Sequence, residues 1–116
     1  MCGLAGFLQP SGFLAEAGKA VAQTMARVMR HRGPDDEGVW VDADAGVALS
    51  HRRLSIVDLS PAGHQPMVSA SGRLVIAFNG EVYNHAELRQ ALEGLSVPPV
   101  WQIGRASCRE RVSSVV

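Results

Sequence analysis

No run of apolar residues in this sequence approaches the roughly 20 needed to span a bilayer, which argues against a helical membrane protein. The opening MCGLAGFLQP lacks the positive n-region of a secretory signal, and its apolar stretch stops at Gln9-Pro10. A cytoplasmic protein is expected. Cysteine is scarce: Cys2 and Cys108 could form at most one bridge, and in a cytosolic setting free thiols are the expectation. Neither sign of charge dominates, with 11 Lys+Arg against 11 Asp+Glu. That balance speaks against binding nucleic acid by broad phosphate neutralisation and against a polybasic membrane anchor. There is no internal repeat. What remains is 47% hydrophobic and 19% charged, the composition of an ordinary globular chain. Its 116 residues suffice for one modest domain or a piece of one.

Leu4 to Leu8, closed by Pro10 and Gly12, predicts a buried strand. From Ala15 to Arg30 the period changes. Val21, Met25, Val28 and Met29 fall at i, i+4, i+7 and i+8, the apolar stripe of a helix. Arg27, Arg30 and His31 load its last turn with positive charge, and Gly33-Pro34 closes it. Two short strands follow, Gly38 to Asp42 and Gly46 to Ser50, with a turn at Asp42–Asp44 between them. Leu54 to Leu59 is a further apolar piece. After a loop rich in Pro, Gly and Ser, Leu74 to Phe78 predicts a strong strand, broken by Asn79-Gly80. Asn84 with Glu87 marks the start of a second helix, with Leu88, Leu92 and Leu95 on one face. Short strands mixed with two helices indicate an α+β fold.

Four groups of residues could carry chemistry. Cys2 follows an initiator methionine whose removal would leave a thiol beside a free α-amine. That amine, with a pKa of about 7.7–8.0, could act as base for its own side chain. Alone, a cysteine at this position is usually an incidental small residue. The string HRGPDDEG from His31 is a helix exit and tight turn in which Arg32 could fix a carboxylate, or simply a solvated, charge-paired loop. Arg52 and Arg53, placed before the apolar piece from Leu54, are awkward unless one meets a ligand or an acidic partner; an arginine fork would clamp an α-carboxylate. Asn79-Gly80-Glu81 could offer two converging N–H donors to an oxyanion, although Asn-Gly by itself favours a plain turn. The four histidines, His31, His51, His64 and His85, show no metal-ligand spacing and are taken as structural or surface residues.

In this order, MCGLAGF, HRGPDDEG, LSHRRLSIVDLSPAGHQPM and FNGEVYNHAELR closely resemble one family. It is the class II, N-terminal-nucleophile glutaminase domain of glutamine-hydrolysing asparagine synthetases, matched over about residues 1–95. The resemblance implies that Cys2 attacks the glutamine amide through a γ-glutamyl thioester and releases ammonia. It further implies an oxyanion hole from Asn79 and Gly80, and glutamine binding by Arg53, Leu54, Ser55, Ile56, Val57, Asn79, Gly80 and Glu81. Arg53 takes the α-carboxylate, the Leu54–Val57 segment is a strand, and Arg32 supports the site. The implied fold is an αββα sandwich of two antiparallel sheets. No cofactor or metal is expected in this part. ATP and Mg2+ belong to a C-terminal synthetase domain, the partner that receives ammonia and amidates aspartate. The full-length enzyme would be a homodimer, with neither nucleic acid nor membrane as a partner. Related families amidate other acceptors, and a non-catalytic remnant of the fold is the alternative of a different class.

The resemblance ends after Leu95. The family continues with a strand and an Asp-x-Glu motif that grips the glutamine amino group, and neither this nor a Ser-Gly-Gly-x-Asp-Ser loop occurs. Residues 96–116 show no helical or strand period, and Ile103 to Val112 reads as foreign sequence joined at a broken frame, which leaves Cys108 without a functional role. A sandwich cut there would expose sheet edges and faces, so the chain alone is expected to fold poorly and to hydrolyse little glutamine.

Overall fold

The computed structural model describes residues 2–55 and 61–95. The first three strands and the first helix build one layered unit. β1 (Gly3–Leu8), β2 (Asp36–Asp42) and β3 (Val47–Arg53) form an antiparallel sheet in the order β1-β3-β2, and α1 (Ala15–Val28) packs against all three strands. β2 and β3 are a hairpin whose ends meet at Asp42 and Val47. Its turn is built by Asp42, whose carboxylate accepts the Ala45 N–H at 3.0 Å, and by Gly46 at φ 73°, a conformation that side chains with a Cβ disfavour. The Gly46 carbonyl in turn accepts the Gln9 N–H at 2.7 Å, tying the end of β1 to this corner. Phe13 then stacks on Phe7 with ring centroids 5.2 Å apart as the chain enters α1.

The helix lies where expected, but its buried stripe does not. Gly18, Ala22 and Ala26, spaced i, i+4, i+8, are its buried residues, with the Phe13 ring lying against Gly18. Val21 and Val28 of the expected stripe are 46% and 72% exposed, while Met25 and Met29 are half-buried along its flank. Small residues let the helix backbone come close to the strands, and larger apolar residues are displaced to the sides. Side chains alternate across β1, so Gly3, Ala5 and Phe7 turn toward α1 and Leu4 and Leu8 turn away. Leu8 on that far face remains 67% exposed.

The strands near the arginines also differ from expectation. β3 runs to Arg53, so the two arginines end a strand instead of opening one, and Leu54 and Ser55 follow outside it. The rest of the Leu54–Leu59 piece, from Ile56, lies outside the described residues. A short 3-10 turn (Pro61–Gly63) leads to a second sheet of two strands, β4 (Met67–Val68) and β5 (Val75–Ile76). β5 is much shorter than the predicted Leu74–Phe78 strand. The Phe78 N–H is taken at 2.6 Å by the side chain of buried Gln65, which withdraws it from any ladder. The second helix, α2 (His85–Glu93), begins after Asn84 as predicted, without a side-chain cap bond. Among its described residues none is buried, so the Leu88–Leu92–Leu95 face meets little of the described chain.

The close helix–sheet contact makes a direct test. Enlarging Ala26 to leucine should destabilise the fold by about 1–3 kcal/mol through overpacking. Truncating exposed Val28 to alanine should change it by less than about 0.5 kcal/mol. Denaturant midpoints of the two variants check the difference.

Candidate functional site

The ladder register decides which residues stand around Cys2. Gly3 lies opposite Arg52. Cys2, one step before Gly3, and Arg53, one step after Arg52, therefore leave the sheet at the same end. Cys2 is fully buried. Its carbonyl oxygen accepts hydrogen bonds from two remote side chains, Arg32 Nε at 3.2 Å and Asn79 Nδ2 at 3.0 Å. Its sulfur accepts the Leu54 backbone N–H at 3.3 Å. The cysteine is thus held from three segments, the HRG turn, the end of β3 and the Asn-Gly turn after β5.

The adjacent arginines are both buried, and a buried cation requires partners. Arg52 Nη1 pairs with Glu37 Oε2 at 2.6 Å, and its Nε donates to the Gly33 carbonyl at 2.7 Å. Glu37 is the cross-strand neighbour of Arg52 in the β2–β3 register, so the sheet itself brings these charges together. Asp35 brackets the end of β3. Its N–H donates to the Arg53 carbonyl at 3.0 Å and its carboxylate accepts the Ser55 N–H at 2.7 Å. The Arg53 guanidinium lies against Gly63, where an added Cβ would overlap it. Asp36 reaches His64 at 2.7 Å on the open side of the same cluster.

Of the residues singled out in the sequence, Cys2, Arg32, Leu54 and Asn79 are in direct contact. Arg53 is buried beside Gly63, Ser55 is held by Asp35, and half-buried Gly80 and Glu81 follow Asn79 in the chain. Ile56 and Val57 lie outside the described residues. One expectation is corrected. Cys2 is disulfide-bonded and not a free thiol, with its partner outside the described residues. Spacing along the chain carries no information on which sulfurs meet in space. Sequence reasoning did not single out Asp35, Glu37 or Gly63. All three sit inside the strings that drew attention, but their partners depend on the folded path of the chain.

The family model for the glutamine amidotransferase domain matches residues 1–98. The chain belongs to this family. Among curated relatives, it is 45% identical over 103 residues to a provisionally named glutamine-hydrolyzing asparagine synthetase of Mycobacterium tuberculosis, covering 79% of this chain and 16% of that protein. It is 41% identical over 93 residues to asparagine synthetase 2 of Bacillus subtilis, covering 79% of this chain and 12% of the relative. It is 42% identical over 89 residues to asparagine synthetase B of Escherichia coli, covering 77% and 15%. The chain therefore spans less than a fifth of the length of each of these three relatives. No solved structure matches it. No helix among the described residues is long and apolar enough to cross a membrane. Among the described residues, no group of three or more His, Cys, Asp or Glu could hold a metal ion.

In this amidotransferase domain folding shifts the titration of His51. It faces Leu4 across the ladder and is almost wholly buried. Burial lowers its pKa below the ordinary 6.5 and outweighs the hydrogen bond that the ring donates to the Phe78 backbone and the charge of Asp36, which raise it; His64 and Arg53 add to the lowering. The unfolded chain then binds the proton more readily than the folded one. His51 accordingly costs no stability above its ordinary pKa, and stability is lost as pH falls below 6.5. Between about pH 7.5 and about pH 5.5, the wild-type denaturation midpoint should fall more steeply than that of His51→Gln.

Proposed function

We propose that this domain is the ammonia-producing glutaminase of an asparagine synthetase, with Cys2 as its nucleophile. The observation that supports it best is the convergence on one cysteine of two side chains from remote strings. Arg32 of HRGPD and Asn79 of NGE both donate to the Cys2 carbonyl, across 30 and 77 positions of the chain.

In this reading Met1 is removed and Cys2 is in its reduced form. The α-amine takes the thiol proton, and the sulfur attacks the side-chain carbonyl carbon of glutamine. Asn79 spends one amide hydrogen on the Cys2 carbonyl and turns its second toward the oxygen on which charge develops. The Gly80 N–H supplies the other donor. The C–N bond breaks, the α-ammonium returns its proton to the leaving nitrogen, and ammonia departs. Water then opens the γ-glutamyl thioester to give glutamate and restore the thiol. Arg53 holds the α-carboxylate of glutamine, Leu54 to Val57 line its path, and Glu81 holds its amino end. Arg32 acts by orienting the Cys2 backbone.

We further propose that the two described layers belong to a larger αββα sandwich, residues 1–95 forming its front part. The exposed end of the far face of the β1-β3-β2 sheet, around Leu8, is where a second sheet would add cover. The full-length product would pass ammonia to a synthetase domain that uses ATP and Mg2+ to amidate aspartate.

In the full-length gene product under reducing conditions, the glutamine-like electrophile diazo-oxo-norleucine should add once, at Cys2, by intact mass. Cys2→Ala should abolish both labelling and glutamine hydrolysis. Asn79→Ala should lower kcat about 100–1000-fold through loss of one oxyanion donor. An unlabelled full-length protein, or one still hydrolysing glutamine without Cys2, would count decisively against the assignment. The 116-residue chain alone should hydrolyse glutamine far more slowly than the full-length product, measured by ammonia release.

A further inference from the structure

We infer that Gly63 is a positioning residue for glutamine selection. Its missing side chain is what lets the Arg53 guanidinium occupy its carboxylate-binding place. This inference rests on the function proposed above.

Gly63 ends the 3-10 turn Pro61–Gly63 and is buried. A Cβ built there would overlap Nη2 and Cζ of Arg53 and stand 2.8 Å from its Nε. An arginine at the surface would swing aside at little cost. Arg53 is only 6% exposed, and its backbone is pinned by the Asp35 N–H on its carbonyl. The chain after it is pinned as well, through Asp35 to Ser55 and through Leu54 to Cys2. The guanidinium can therefore yield to a Cβ only by turning within its pocket. A fork aimed at a carboxylate tolerates such a turn poorly, because both of its hydrogen bonds depend on one plane. The three atoms nearest that Cβ all belong to the Arg53 guanidinium, so the added methyl meets this side chain first. The substitution should thus act on recognition of the α-carboxylate and not on acyl transfer.

The test uses Gly63→Ala in the reduced full-length gene product, with glutamine and with 4-aminobutanamide, which is glutamine lacking its α-carboxylate. KM for glutamine should rise about tenfold or more, the loss of a well-aligned charge-assisted contact. kcat should stay within about threefold. With 4-aminobutanamide, kcat/KM should be the same for both proteins, a result that general loosening of the fold would not produce. Equal KM values for glutamine, or equal losses on both substrates, overturn the inference and leave the glutaminase assignment standing. A wild-type product that leaves glutamine untouched removes the assignment and the inference together. If Gly63→Ala does not fold, the double variant Arg53→Ala/Gly63→Ala should recover a cooperative thermal transition, since the added methyl then has room. A double variant no more stable than the single one also overturns the inference.

Discussion

The antiparallel ladder between β1 and β3 sets Gly3 opposite Arg52, and the arrangement around Cys2 depends on that register. A shift by one residue would turn each side chain of β1 to the other face of the sheet. Cys2 would then lose its place beside the end of β3, and the Leu54 N–H would no longer reach its sulfur. α1 secures the register from one side, because only its small-residue stripe allows the helix to lie close on Gly3, Ala5 and Phe7. The hairpin of β2 and β3 secures it from the other, through the corner at Asp42 and Gly46.

Charge is concentrated at the same end of the sheet. Arg52 and Arg53 are both buried there, on opposite faces of β3, and a buried cation is unfavourable unless it is anchored. The HRGPDDEG turn supplies anchors in sequence: Gly33 and Glu37 for Arg52, and Asp35 for the backbone of Arg53 and Ser55. Asp36, the remaining acid, turns to half-exposed His64, where solvent screening leaves an ion pair with little net value. A segment with the outward form of a solvated loop is thus the clasp that joins β2, β3 and the start of β1.

α1 covers one face of the first sheet, and the other is covered at the end where His51 and Arg53 are buried. On that other face Leu4 is 44% and Leu8 67% exposed, the exposure rising away from the buried end. α2 likewise buries none of its described residues.

Much of this was legible in the residues alone. β1, α1, the hairpin and α2 follow from local periods, Gly and Asp turns and the Asn84 start, because these signals act over a few neighbouring residues. The site strings were legible as strings, and their order identified the family. Other features required the folded chain. Val21 and Val28 looked like core, yet the sheet accepted Gly18, Ala22 and Ala26, since the distance between helix and strands is a property of the packed layers. Leu74 to Phe78 has strand composition, but Gln65 captured the Phe78 N–H from 13 positions away. The partners of Asp35, Glu37 and Gly63 were equally invisible, because strand register sets Glu37 beside Arg52, and only the folded path of the chain brings Asp35 to Ser55 and the 3-10 turn to Arg53. Residue types determined which chemistry the chain could carry; only tertiary structure decided which of those residues meet, because hydrogen bonds and steric contacts act over a few ångströms in space whatever their distance along the chain.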